Sequence, residues 1–163
     1  MFSFLKKSKE GKSIILKSPV VGRCFDISEI PDEVFSSKML GNGIGFESTE
    51  GILYAPVDGE ILQVFPTKHA LILKSKEGIE ILLHIGIDTV EMKGEGFEAF
   101  VQKGQQVKAG DKLLTFNNEL IKAKAKTNLS VLVLTDNEIM ESVEFKLGTV
   151  DKNDEVITIK IKK

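Results

Sequence analysis

Between residues 79 and 88 the chain alternates without a break. Ile79, Ile81, Leu83, Ile85 and Ile87 fall on one side of a two-residue period, and Glu80, Leu82, His84, Gly86 and Asp88 on the other. Successive side chains of a strand point to opposite faces, so this pattern predicts a strand over 78–85 with its aliphatic face in a core and His84 turned away from it. Shorter β-branched runs at 13–18, 43–48, 60–65, 70–75, 112–116, 130–134 and 156–161 read as further strands. Between them stand turn signals such as Gly41-Asn42-Gly43, Asp58-Gly59 and Gly110-Asp111. Helical signal is confined to a segment capped by Asn118 and running over 119–125, and to a turn within 31–40 opened by Pro31. Many short strands with so little helix predict a closed or sandwiched all-β domain, with no boundary inside 13–163. One segment repeats: Ser18-Pro19-Val20-Val21-Gly22 returns 37 residues later as Ala55-Pro56-Val57-Asp58-Gly59, each copy leading into two strands. Two similar β-motifs packed together are expected.

Composition narrows the class. An apolar share of 42% and a charged share of 28% over 163 residues suffice for one covered core, which excludes a disordered or fibrous chain. No apolar run approaches the roughly 20 residues of a membrane span, and no signal-peptide core opens the chain, so a cytoplasmic location is expected. The net charge of −2 argues against a nucleic-acid partner, but it is unevenly spread. Residues 1–17 hold five lysines against Glu10, a balance of +4, leaving −6 for the rest. Residues 1–12 are therefore expected to be a flexible basic tail, for which a weak contact with an anionic membrane surface through Phe2, Phe4 and Leu5 is the alternative to a solvated terminus.

Chemistry-bearing residues are few. A single cysteine, Cys24, allows no internal disulfide, and the two histidines are His69 and His84. Leu82 shares the face of His84, which suits a docking surface. Thr67 is two residues from His69, close enough in an extended segment to bond its ring and set its tautomer. Alternation places His69 with Leu71 and Leu73, and a hairpin closed through 74–78 brings His69 near His84. No G-x-S-x-G elbow and no G-x-x-x-x-G-K-[ST] loop is present, which argues against a serine hydrolase and a nucleotide site. A zinc peptidase of the kind built on such folds needs three histidines; two with a partner's carboxylate give His69 and His84 only a weak claim to a metal. Phosphoryl transfer through histidine fits best, since a neutral imidazole is a competent nucleophile near pH 7 and its phosphoramidate can pass the group on. No cofactor is needed when the donor is itself a phosphoprotein.

The run Leu83-His84-Ile85-Gly86-Ile87-Asp88-Thr89-Val90, followed by Lys93-Gly94-Glu95-Gly96-Phe97, resembles the active-site signature of the glucose-type enzyme IIA of the bacterial phosphoenolpyruvate-dependent sugar phosphotransferase system. Ala55 to Gly59 with Phe65-Pro66-Thr67-Lys68-His69-Ala70 is similar to a second block, and Pro31-Asp32, Val34-Phe35, Lys38-Met39-Leu40-Gly41 and Gly43 to a third. The resemblance covers residues 13–163, implying a single enzyme IIA domain. It implies an antiparallel β-sandwich, a barrel-like hybrid with a duplicated β-motif and minimal short helices. In such a protein His84 takes a phosphoryl group from the histidine phosphocarrier HPr and gives it to a cysteine of the IIB domain of a sugar permease. By the same resemblance His84 is phosphorylated through Nε2 with Nδ1 held by the Gly86 carbonyl. His69 stabilises the phosphoryl group and Thr67 orients His69. Asp32 and Asp88 are acidic contacts for the donor, and Phe35, Met39, Leu40, Phe65, Leu82 and Val90 form the docking patch. Glu33 departs from the family, standing where many members carry an apolar residue. The alternative role is a regulatory binding module whose phosphorylation state decides which transporters or kinases it docks to.

Overall fold

The structure, a computed structural model, describes residues 12–135 and 138–162, so the tail expected at 1–12 lies outside the described residues apart from Lys12. In chain order the elements are β1 (Ser13–Lys17), β2 (Gly22–Asp26), α1 (Glu33–Ser36), β3 (Asn42–Ser48), β4 (Ile52–Tyr54), β5 (Gly59–Val64), β6 (Ala70–Ser75), β7 (Glu80–His84), β8 (Phe97–Ala99), β9 (Gln106–Val107), β10 (Lys112–Phe116), α2 (Asn118–Lys124), β11 (Ser130–Leu134), β12 (Met140–Phe145), β13 (Gly148–Val150) and β14 (Glu155–Ile161). Single 3-10 turns stand at Ile27–Glu29 and Thr89–Met92. Every ladder is antiparallel.

The strands form one eight-stranded sheet, ordered β13-β2-β3-β11-β7-β6-β5-β9, and two three-stranded sheets, β1-β14-β12 and β4-β10-β8. All three sheets end in open edges, so the architecture is a sandwich and the barrel-like closure is not formed. The main core lies between the sheets. Ile81, Leu83, Leu71, Leu73, Leu132, Ile44 and Phe46 of the large sheet meet Leu16, Ile157 and Ile159 of one small sheet and Leu53 and Leu114 of the other. Removing this apolar surface from water is the main favourable term of folding.

The repeat is physical. Gly22 pairs with Ser48 across β2–β3, and Gly59 pairs with Ser75 across β5–β6. A Cβ on either glycine would stand 2.0 Å from the Glu47 carbonyl oxygen or 2.2 Å from that of Lys74, so each ladder closes only on a bare backbone. Both serines are buried with hydroxyls accepting from the following turn: Ser48 Oγ from Gly51 N–H at 2.9 Å, Ser75 Oγ from Ile79 N–H at 3.0 Å. The copies tie to each other reciprocally, Lys17 N–H to the Pro56 carbonyl at 2.8 Å and Tyr54 N–H to that of Pro19 at 2.7 Å.

The two helices begin at their caps. Asp32 accepts from Val34 N–H at 2.9 Å at the start of α1, and Asn117 from Leu120 N–H at 3.0 Å at the start of α2. The second cap is one residue earlier than expected. Asn118 instead donates to the Ser48 carbonyl at 2.8 Å.

Candidate functional site

The outer face of the large sheet carries the histidines. Across it Phe25, Gly45, Val131, His84 and Ala70 lie in one row of paired residues. Alternation holds through β7: Ile79, Ile81, Leu83 and Ile85 are wholly buried in the main core, and Leu82 and His84 turn to the other face. That face is not bare. The chain between β2 and β3 folds back over it, and Ile27, Ile30 and Phe35 gather with Phe25, Ile87, Val131 and Val133 into a second apolar cluster against which Leu82 packs. Leu82 is therefore half-buried beneath this cover, where the sequence suggested an exposed docking leucine. Ile87 belongs to the second cluster as well, because the positive φ of Gly86 (66°) ends the alternation one residue before it.

His69 also departs from simple alternation. β6 begins at Ala70, after a turn in which Lys68 has φ 58° and its N–H bonds the Phe65 carbonyl, so the parity that puts Leu71 and Leu73 in the core does not reach His69. Its ring turns to His84, with centroids 5.0 Å apart and planes at 81°. The register pairs Ala70 with His84, and Ile85 N–H donates to the His69 carbonyl at 2.8 Å. The two imidazoles converge as the hairpin predicts, although the residue paired with His84 is Ala70 and His69 stands in the turn before it.

Both rings are pinned through Nδ1. His84 Nδ1 lies 2.8 Å from the Gly86 carbonyl oxygen; a carbonyl only accepts, so Nδ1 carries the proton and Nε2 holds a lone pair. His69 Nδ1 lies 2.5 Å from the Thr67 hydroxyl. Phe35 packs on His84 at 5.1 Å between centroids, and Phe65 meets His69 edge-on at 5.6 Å.

Electrostatics keep both rings neutral. Burial foremost, and then the neighbouring His69, bring the pKa of His84 from 6.5 down to about 4. The Gly86 bond and the carboxylates of Asp32 and Asp88 oppose that fall without reversing it. His69, only 4% exposed, is also lowered by burial. Desolvation thus outweighs two nearby carboxylates.

Phe35 and Phe65 flank the rings, and the carboxylates of Asp32 and Asp88 act on His84. Met39 (73% exposed), Val90 (52%) and Leu40 are open to solvent, whereas Phe35 is buried and acts as a wall of the site. Phe65 is half-buried, Asp32 is half-buried as the cap of α1, and Asp88 is exposed in a left-handed conformation. Val34, 43% exposed on α1, adds an apolar group that the sequence reading used only as a resemblance. Among the described residues no group of three or more His, Cys, Asp or Glu could hold a metal ion. A cleft of about 760 Å³ lies elsewhere, lined by Arg23, Glu47, Asn118, Lys122 and Asn128 among others and by neither histidine. That cleft holds neither a histidine nor a cysteine, whereas the histidine face offers apolar surface of the kind that suits a protein partner. Cys24 is no alternative nucleophile, since burial pushes its thiol up to about 11.

Comparison with known proteins meets this geometry. Residues 14–140 match the family described as phosphoenolpyruvate-dependent sugar phosphotransferase system, EIIA 1. The chain is 48% identical over 141 residues to the PTS system glucose-specific EIIA component of Bacillus cereus, covering 86% of this chain and 85% of that one. It is 40% identical over 167 residues to the protein of the same name from Halalkalibacterium halodurans, covering 99% and 96%. In three dimensions it is similar to the glucose permease IIA from Mycoplasma capricolum, with a TM-score of 0.86, 38% identity and coverage of 90% and 96%. Fold and sequence together define a phosphotransferase component, a carrier that takes a phosphoryl group from HPr and passes it to the IIB domain of a sugar permease. The chain belongs to the EIIA 1 family of the phosphoenolpyruvate-dependent sugar phosphotransferase system.

Proposed function

We propose that His84 is the residue that carries the phosphoryl group, through Nε2. The observation behind this is the bond between His84 Nδ1 and the Gly86 carbonyl, which leaves the Nε2 lone pair free on a ring that burial keeps neutral down to about pH 4. Nε2 attacks phosphorus, the N–P bond of phospho-HPr breaks, and its electron pair returns to the donor's imidazole. The positive charge that the His84 ring gains sits on Nδ1–H against the Gly86 carbonyl, in the field of Asp32 and Asp88. A cysteine thiolate of the IIB domain then attacks the phosphorus and His84 leaves neutral.

His69 serves the phosphoryl oxygens. With the Thr67 hydroxyl donating to Nδ1, Nε2–H of His69 is a donor beside the His84 ring. Met39, Leu40, Val90, Leu82, Phe65 and the Phe35 wall offer apolar contact to both partners, with Asp32 and Asp88 for cationic groups on them. The same apolar surface favours a second, regulatory role: a dianionic phosphoryl group set among these residues disfavours any partner that docks on the neutral form. The relatives' names support a permease of the glucose class as acceptor, and a cytoplasmic site of action accords with the described residues, which contain no helix long and apolar enough to cross a membrane.

The test is intact mass after incubation with phosphoenolpyruvate, enzyme I and HPr. The wild type is expected to gain one acid-labile, base-stable phosphoryl group, His84→Ala none, and His69→Gln a group that it transfers poorly to IIB. A His84→Ala protein that still gains the group would remove His84 from the mechanism.

A further inference from the structure

The Gly86 carbonyl can select the His84 tautomer only if the backbone that carries it is held in place, and the structure accounts for every polar group of that turn. Two peptide units flank Gly86. In the first, the Ile85 carbonyl accepts from the Thr89 hydroxyl at 2.5 Å and Gly86 N–H donates to Ser130 Oγ at 2.9 Å. In the second, the Gly86 carbonyl accepts from His84 and Ile87 N–H donates to the Thr127 carbonyl at 3.0 Å. The Ser130 hydroxyl is itself directed, donating to the Asn128 carbonyl at 3.0 Å. Ser130 is 1% exposed and Thr89 wholly buried, so no water replaces either hydroxyl. The turn also has no room to relax inward, since a Cβ on Gly86 would meet Thr89 Cγ2 at 2.6 Å and the Thr127 carbonyl oxygen at 2.9 Å.

We propose that Ser130, aided by Thr89, is a positioning residue for phosphoryl transfer: its hydroxyl on Gly86 N–H holds the turn whose carbonyl keeps the proton of His84 on Nδ1 and so leaves Nε2 as the nucleophile. Ser130 touches neither the phosphoryl group nor a partner. It lies 44 residues from Gly86 in sequence, on β11, and acts across the sheet. This rests on the reading of His84 Nε2 as the acceptor. Without Oγ, the Gly86 N–H is left buried and unpaired, and the turn shifts to find an acceptor. The Nδ1–Gly86 bond then lengthens and the ring populates the other tautomer, with its lone pair on the wrong nitrogen.

The experiment is two-bond ¹⁵N–¹H correlation of the imidazoles in full-length wild type, Ser130→Ala and Ser130→Thr, paired with steady-state phosphorylation by HPr. Wild type and Ser130→Thr are expected to show a single Nδ1–H tautomer of His84. Ser130→Ala is expected to show mixed tautomers and a kcat lower by about tenfold at an unchanged KM for HPr, because the docking face is untouched. An unchanged tautomer and unchanged kcat in Ser130→Ala would overturn the proposal. Where Ser130→Ala does not fold, Thr89→Val, which keeps the shape and frees the other end of the same peptide, is read by the same criteria. The tautomer measurement needs no phosphoryl donor, so wild type that stays unphosphorylated would fail the His84 reading, while the hold of Ser130 on the His84 tautomer is decided separately.

Discussion

The two copies of the repeated motif are the same hairpin put to different ends. Each starts at a Pro-Val-x-Gly entry, each closes on a Gly–Ser pair, and each donates one hydrogen bond to the other's proline carbonyl. They differ at their tips. β5 and β6 are joined by five residues, 65–69, which hold Phe65, Thr67 and His69. β2 and β3 are joined by fifteen, 27–41, which hold Asp32, α1, Met39 and Leu40. Asn42 aligns with Ile81 through β11, and Ala70 aligns with His84, so the tips point toward opposite ends of the sheet. Only a long connection lets the first tip reach back over the sheet to His84. The short tip supplies Thr67 and His69 and the long one supplies cover: duplication provides the frame, and loop length sets what each copy adds to it.

The largest effect is expected where the copies are alike. Gly22→Ala and Gly59→Ala each drive a Cβ into a backbone carbonyl of the partner strand. Each is expected to lose about 3–4 kcal/mol by urea unfolding and about 10 °C in Tm. If one variant is as stable as wild type, the two hairpins are not equivalent supports.

The next largest tests the cover. Phe35→Ala removes a buried ring from the rim of the second cluster, at a cost of about 2–3 kcal/mol, and opens His84 to water. The pKa of His84 should climb back toward 6.5, and phosphoryl acceptance should gain an acid limb near pH 6 that wild type lacks. In wild type the depressed pKa acts on stability with a definite sign. Between 6.5 and about 4 the unfolded chain binds a proton that folded His84 refuses, so stability falls as pH falls through that window. The slope from this residue is at most about 1.4 kcal/mol per pH unit. NMR titration of the His84 ring in both proteins checks the shift, and coincident curves would mean that the loop does not desolvate the ring.

The smallest effect isolates the short tip. Thr67→Val keeps shape and loses the hydroxyl on His69 Nδ1. Single-turnover transfer to IIB should slow about three- to tenfold, with stability within about 1 kcal/mol of wild type. An unchanged rate would show that His69 keeps its tautomer without Thr67.

The sequence showed most clearly the parts built on strict alternation. β7 has its faces as read, β10 and β11 have their bounds, and the Pro-Val-x-Gly echo marks a true repeat. Six other strands gave no run to read, the shortest being β9 with two residues. β12, Met-Glu-Ser-Val-Glu-Phe, lies at the edge of a small sheet with Glu141, Ser142 and Glu144 exposed. β2 contains Arg23 and Asp26 among its five residues, and β4, β8 and β13 are three residues each. The contacts of His69 with Thr67 and with His84 were legible in their spacing and in the hairpin. The second apolar cluster was not, because it joins residues 25–35 to 87 and 131–133 across the sheet, and no local period records that. Ser130 escaped for the same reason: on its own strand it is one small polar residue before an aliphatic run.

The turn at Gly86 is tied at all four of its polar groups before any partner arrives. A carrier built this way reorganises little on gaining or losing its cargo, so it adds little barrier of its own in either direction. Such a carrier behaves as a buffer for phosphoryl groups: flow through it follows the relative transfer potentials of the proteins before and after it, and reverses when those potentials reverse.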